Sequence, residues 1–198
     1  MNEIQNICIF ASSSEHLEPA YYALAEELGR AVAGAGAGMV FGGGARGLMG
    51  AVARGVARER GRITGVIPEK LNRPGIAYAA CTELIETPTM HARKQTMEDL
   101  SDGFIALPGG FGTLEEVLEV ITLRQLGYHD KPVVLLNRGG FYDSLLEQFE
   151  RLYAESFADI AYRAMYGVAQ DVEEAVRLIY THKPAPLPDK LGQAEEPL

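Results

Sequence analysis

The sequence predicts an α/β fold, a doubly wound parallel sheet in a single domain, and three observations carry that expectation. Short apolar runs of strand length recur along the chain, several end in a turn of glycine or serine, and a stretch with helical periodicity follows each turn. Strand, turn and helix in alternation build parallel sheets through crossover helices. Runs that are apolar throughout, such as Phe104 to Leu107 (FIAL) and Pro132 to Leu136 (PVVLL), suit strands covered on both faces.

Taken in order, Ile4 to Phe10 reads as a buried first strand ending in the polar run Ala11-Ser12-Ser13-Ser14. Glu18-Pro19 starts a helix, with proline in the first turn, that fades at Gly34 to Gly38. Met39 to Phe41 is a short strand, Gly42-Gly43-Gly44-Ala45-Arg46-Gly47 the turn after it, and LMGAVARGVARER the second helix. Arg62 to Ile67 is a third strand; Pro68 to Ala80 is irregular, punctuated by Pro68, Pro74 and Gly75. Thr82 to Ile85 is a further short strand, and Thr89 opens the helix MHARKQTMEDLS. The strand Phe104 to Leu107 leads through Pro108-Gly109-Gly110-Phe111-Gly112-Thr113 into the helix LEEVLEVITLRQLGY. The strand Pro132 to Leu136, the helix FYDSLLEQFERLYAE, a strand at Met165 to Ala169 and a helix from Val172 to Tyr180 complete the pattern. One Rossmann-like domain over residues 1–180 follows, with a proline-rich tail over 181–198 expected to be extended or disordered.

With 198 residues the chain is long enough to bury a core without disulfides or a structural metal. Its two cysteines, Cys8 and Cys81, lack the spacing of a zinc site, and its histidines form no ligand cluster, so no metal is expected. A net charge of −9 with no lysine- or arginine-rich run argues against nucleic acid as a partner. No stretch approaches the roughly 18 apolar residues of a membrane helix, and MNEIQN is not followed by the apolar run of an export signal. Cytoplasmic residence away from membranes is therefore expected.

Three segments carry candidate chemistry. The turns Gly42-Gly43-Gly44 and Gly109-Gly110-Phe111-Gly112-Thr113 lie between strand and helix, where ligands of open α/β sheets gather and free N–H groups face an anion. Neither has the Gly-Lys-Ser/Thr of a P-loop or the GxGxxG of a dinucleotide site, which favours a single phosphate. Tight turns that only fix strand–helix geometry are the competing reading. Thr113-Leu114-Glu115-Glu116 has the spacing of a capping box, and that reading leads; a carboxylate orienting a sugar hydroxyl or a water is the alternative. In Met90-His91-Ala92-Arg93-Lys94-Gln95-Thr96-Met97, Arg93 shares a helical stripe with Met90, Met97 and Leu100. A guanidinium there needs an anion, either a buried carboxylate or a ligand, and Lys94 reaches the same region.

Together, GGGARGLMG (Gly42 to Gly50), MHARKQTM and PGGFGTLEE (Pro108 to Glu116) resemble the three signatures of the LOG family, in its order and spacing, within a similarity spanning roughly residues 4–180. Members of that family are cytokinin-activating phosphoribohydrolases that also carry the label lysine decarboxylase. The resemblance implies hydrolysis of the N-glycosidic bond of AMP or an N6-substituted AMP, without a cofactor, by a homodimer. It implies Arg93 and Glu116 as the catalytic pair, with Arg93 keeping Glu116 ionised. It implies Gly109, Gly110, Gly112 and Thr113 around the phosphate, with Ser13, Gly43, Gly44, Met90 and Lys94 completing the substrate site. The family's Cys-Gly-Ser-Ser loop reads Ala11-Ser12-Ser13-Ser14 here, so Ser12 replaces a glycine. Decarboxylation is disfavoured, because no lysine is placed to carry pyridoxal phosphate. The alternative function is a non-catalytic carrier of a phosphorylated, molybdopterin-type cofactor, which could share the PGGxGT loop but has no evident need of Arg93 and Glu116.

Overall fold

The computed structural model describes residues 4–188 of the chain. Seven strands form one sheet: β1 (Asn6–Phe10), β2 (Gly38–Phe41), β3 (Ile63–Pro68), β4 (Glu83–Thr87), β5 (Gly103–Ala106), β6 (Val133–Leu136) and β7 (Gly167–Ala169). Their spatial order is β4-β3-β2-β1-β5-β6-β7 and every pairing is parallel. The chain moves outward from β1 to β4, then returns to lay β5 on the other side of β1. That reversal makes the gap beyond the carboxyl ends of β1 and β5 a topological switch point, where open α/β sheets bind ligands.

Alternation along the central strands sends side chains to two cores. Ile7, Ile9, Met39, Phe41 and Ile105 pack under α1 (Pro19–Gly34), α2 (Gly47–Arg58) and α6 (Val172–Thr181). Cys8, Phe10, Val40, Phe104 and Leu135 pack on the other face, with Met97 of α3 (Met90–Asp99), Val117 and Val120 of α4 (Phe111–Gln125) and Phe149 of α5 (Asp143–Ala154). Burial on both faces explains why the central strands read as continuous apolar runs. Edge strand β4 alone is largely exposed, and it carries Glu83 and Glu86, as an edge that must resist further pairing does.

The expected elements are present, with shifted ends. The last strand is shorter than Met165 to Ala169, because 160–165 form a 3₁₀ segment. Segment 68–80, read as irregular, contains a 3₁₀ turn at Glu69–Leu71 and then straps the glycine turn after β2. Ala45 donates its N–H to Ile76 O (2.8 Å), and Tyr78 donates to Gly43 O (2.8 Å). Helix α4 begins three residues before the predicted LEEVLEV, at Phe111. Residues 182–188 follow α6 without a regular element, and the rest of the predicted tail lies outside the described residues. Among the described residues no helix is long and apolar enough to cross a membrane.

Candidate active site

Two helices meet face to face at the carboxyl ends of β2 and β3. Thr89 caps α3, accepting the Ala92 N–H at 3.1 Å. The buried face of α3 is Arg93, Lys94, Met97 and Glu98. The expected stripe of Met90, Arg93, Met97 and Leu100 is therefore corrected: Met90 and Leu100 are exposed, and only Arg93 and Met97 of that set are buried. What meets the two cations of that face is a row of carboxylates on α4, namely Glu115, Glu116 and Glu119.

Arg93 is held at three points. Its Nη1 donates to Glu116 Oε1 at 2.8 Å and its Nε to the carbonyl of Val66, in β3, at 3.1 Å. The other end of the guanidinium lies over Gly42, where an added Cβ would fall 1.8 Å from Nη2. Glycine at the end of β2 thus makes room for the arginine. Both members of the pair are nearly sealed, with side-chain exposures of 8% and 12%. Burial pushes the Glu116 carboxyl above the usual carboxylate range, and the Arg93 charge and hydrogen bond oppose that push without overcoming it. Arg93 acts in the expected direction, favouring the ionised Glu116 against its burial.

Lys94 turns to the neighbouring carboxylates, bonding to Glu115 and lying 2.8 Å from Glu119. Burial alone would depress the Lys94 ammonium, but Glu115 and Glu119 together raise it above its ordinary value. Glu98, 8% exposed, sits below this array. Burial first, then the charges of Glu119 and Asp99, push its carboxyl up to about 7.

The capping-box reading of Thr113 and Glu116 is overturned. Gly110 is the N-cap of α4, so Thr113 lies inside the first turn, and Glu116 reaches sideways to Arg93 instead of back to the helix start. Thr113 is buried under the turn, so close that a Cβ on Gly109 would fall 2.1 Å from its hydroxyl. Among the described residues, the N–H groups of Phe111, Gly112 and Thr113 meet no acceptor. Helix α2, after the other glycine turn, differs. Its Leu48 and Met49 N–H groups point to Ser12 O at 2.8 and 3.3 Å. Of the two glycine turns, the one after β5 therefore leads to the open helix end.

Gly110 and the adjoining Gly109 also wall an apolar cleft of about 250 Å³ at the switch point, shared with Ser12, Leu17, Tyr21, Leu48 and Phe141. Arg93 and Glu116 lie outside its wall. Ser12, at the family's glycine position, accepts the Ser14 N–H through its hydroxyl at 3.1 Å and so shapes the loop. Ser13 is exposed on that loop, Gly43 and Gly44 are buried beneath the strap, and Gly110 and Gly112 are exposed at the mouth. The structure thus brings Arg93, Lys94 and Glu116 together on α3 and α4, with Gly109 to Thr113 at the start of α4; Ser13 does not line the cleft, whose wall takes Ser12 and Ser14 from that loop.

Several contributors carried no motif. Tyr142 donates its hydroxyl to Leu107 O at 2.6 Å and so anchors the turn that begins at Pro108. Glu98 and Glu119 complete the charge array. Their only signal was matched spacing, charges at 93, 94 and 98 on one helix against carboxylates at 115, 116 and 119 on another.

A family model described as possible lysine decarboxylase matches residues 49–179. A cytokinin riboside 5′-monophosphate phosphoribohydrolase of Arabidopsis thaliana is 40% identical over 183 residues, covering 92% of this chain and 84% of that protein. A probable cytokinin riboside 5′-monophosphate phosphoribohydrolase of Oryza sativa subsp. japonica is 39% identical, covering 92% and 81%. The chain belongs to the LOG family. Among solved structures, the molybdenum cofactor binding protein of Rippkaea orientalis superposes with a TM-score of 0.69 at 24% identity, covering 91% of this chain and 98% of that one. The molybdenum cofactor carrier protein of Chlamydomonas reinhardtii does so with 0.67 at 23%, covering 90% and 97%. Those two likenesses are of fold.

Glu98 generates a prediction for this LOG-family protein. A carboxyl raised in the folded state stabilises below its unfolded pKa, roughly 4.3, and that stability is lost as pH rises through about 7. Glu98→Gln should therefore gain melting temperature over the wild type at pH 8, and much of the gain should vanish at pH 5. Calorimetry at the two pH values checks this; an equal difference at both would refute it.

Proposed function

We propose that this protein hydrolyses the N-glycosidic bond of AMP or an N6-substituted, cytokinin-type AMP, giving the free base and ribose 5-phosphate. The observation that carries the reading is the sealed Arg93–Glu116 pair beside an uncapped helix N-terminus. Curated relatives named as cytokinin riboside 5′-monophosphate phosphoribohydrolases at 38–40% identity support the same chemistry.

In this reading the phosphate rests on the amides of Phe111, Gly112 and Thr113, where the helix dipole favours negative charge. Gly109 and Gly110 let it approach the backbone, and the loop bearing Ser13 adds a hydroxyl. Met90 offers apolar contact at the start of α3. Breaking the ribosyl–base bond builds positive charge on the sugar. Glu116 stabilises that charge as a carboxylate and orients the water that attacks C1′, while Arg93 fixes the carboxylate in place. Gly43 and Gly44 hold the turn that admits Arg93. Lys94 serves as a positioning residue, locking α3 to α4 through Glu115 and Glu119. Binding energy from the remote phosphate supports the reacting end, so the unphosphorylated nucleoside is a poor substrate.

The family's decarboxylase description suits these residues less well. Lysine decarboxylation of that kind uses a lysine that forms a Schiff base with pyridoxal phosphate. Lys94 is held charged by two carboxylates. The residues present do not fit that cofactor.

We further propose that the protein works in the cytoplasm as a homodimer. The exposed face of α4 supports the dimer: Phe111 is 92% exposed, with Leu118 two turns further along the same side. Changing Phe111 and Leu118 together to aspartate should convert the protein to a monomer in sedimentation; a wild type that already sediments as a monomer would refute the dimer.

For the activity, incubation with AMP and with N6-isopentenyl-AMP should release ribose 5-phosphate, and adenosine should release almost no ribose. No release from either nucleotide would overturn the proposal. Glu116→Gln should lower kcat by at least about a hundredfold. It should also lower the melting temperature, because the amide oxygen still accepts from Arg93 but no longer balances its buried charge. Gly42→Ala should push the guanidinium off the carboxylate and lower kcat/KM by about a hundredfold in a protein that still folds. Wild-type rates in both variants would remove Arg93 and Glu116 from the chemistry.

A further inference from the structure

We infer that a second anion site lies at the amino ends of β6 and β7, centred on Arg124, and that it takes a phosphate-type oxyanion. Arg124 is in the last turn of α4 and only 3% exposed. Its Nη1 donates to Met165 O at 2.7 Å. Its Nη2 lies 3.2 Å from His182 Nε2, and that same ring nitrogen lies 3.0 Å from Asp130 O. One imidazole nitrogen cannot accept from the guanidinium and donate to a carbonyl at once, so one of the two contacts is unfulfilled. Among the described residues, Nε of Arg124 meets no acceptor and no carboxylate forms a salt bridge with it.

A charge this deeply buried calls for an anion. The carbonyls at the end of α4, the helix dipole and the charge of Asp130, which makes no salt bridge with it, offset part of it. The remaining donors border a cavity of about 140 Å³, whose wall includes Arg124, Tyr166, Thr181 and His182. A wider opening of about 480 Å³ adjoins it, sharing Pro132 and His182, and brings in Lys131 and Lys183 alongside Asp102 and Asp130. Burial and the Arg124 charge both lower the His182 pKa. A neutral imidazole can turn its N–H to an incoming oxyanion, which frees the conflict with Asp130 by giving Arg124 an acceptor of its own. The small cavity then holds the oxyanion, and the wider one has room for an attached organic group. This site is remote from the loops at the carboxyl ends of the strands, and none of its residues belongs to the proposed reaction.

The test reads the ring signals of His182 by NMR while inorganic phosphate is added at constant ionic strength. The wild type should show a saturable shift that sodium chloride does not reproduce. Arg124→Met should abolish it, with the His129 ring signal reporting whether the fold is intact. Arg124→Lys keeps a cation in place and should weaken the response roughly tenfold, through loss of the planar fork; it decides the matter if the methionine variant does not fold. Ribose 5-phosphate in place of phosphate separates the sources: a tighter response assigns the site to a phosphorylated metabolite, an equal one to the free ion. No saturable shift, the same shift with chloride, or an unchanged response in a folded Arg124 variant would overturn the inference. None of these readouts depends on turnover.

Discussion

The interaction on which the site depends is the ion pair between Arg93 and Glu116, made at the seam of two helices and almost closed to water. Removing one member of such a pair leaves the other charge stranded, at a cost of about 3–5 kcal/mol. Its surroundings are arranged around that fact. Gly42 leaves space for the guanidinium, the Val66 carbonyl takes a second of its donors, and Lys94 repeats the pairing one residue along. Helices α3 and α4 are thus registered by charge where most of the molecule is registered by apolar packing. A carboxylate held this rigidly has little freedom to reorganise, which is the condition under which it acts most strongly on a developing charge.

The two glycine turns look alike and serve different ends. After β2 the glycines admit Arg93 and underlie the strap, and the α2 amides turn to Ser12. After β5 the amides at the start of α4 are left open, and Thr113 is tucked beneath the turn. The difference between a turn that supports a side chain and one that leaves its amides free follows from where the backbone donors go, which residue type alone does not reveal. Helix α4 links every part: its first turn leaves its amides open, its second carries Glu116, and its last carries Arg124 at the other end of the sheet.

Much of this was legible beforehand because the relevant forces are local. Apolar runs and turn residues placed the strands, and helical periodicity placed the helices between them. The errors fell where a distant partner overrides a local pattern. Thr113 and Glu116 have capping-box spacing, yet Gly110 takes the cap and Glu116 has a better partner 23 residues away. Met90 and Leu100 share a stripe with Arg93 but end in solvent, because the covering surface on α4 is acidic and draws Arg93 and Lys94 to the buried side.

By itself the sequence determined the α/β class, the order of the elements, the family signatures and the residue types at the site. Each of these depends on periodicity, turn chemistry or short motifs, which act over a few residues. The tertiary structure alone decided which carboxylate meets Arg93, which glycine turn keeps its amides open, and that Arg124 is buried with no carboxylate in salt-bridge contact among the described residues. Those outcomes depend on which donors and acceptors are left after the sheet and its helices have packed, and that remainder exists only in three dimensions.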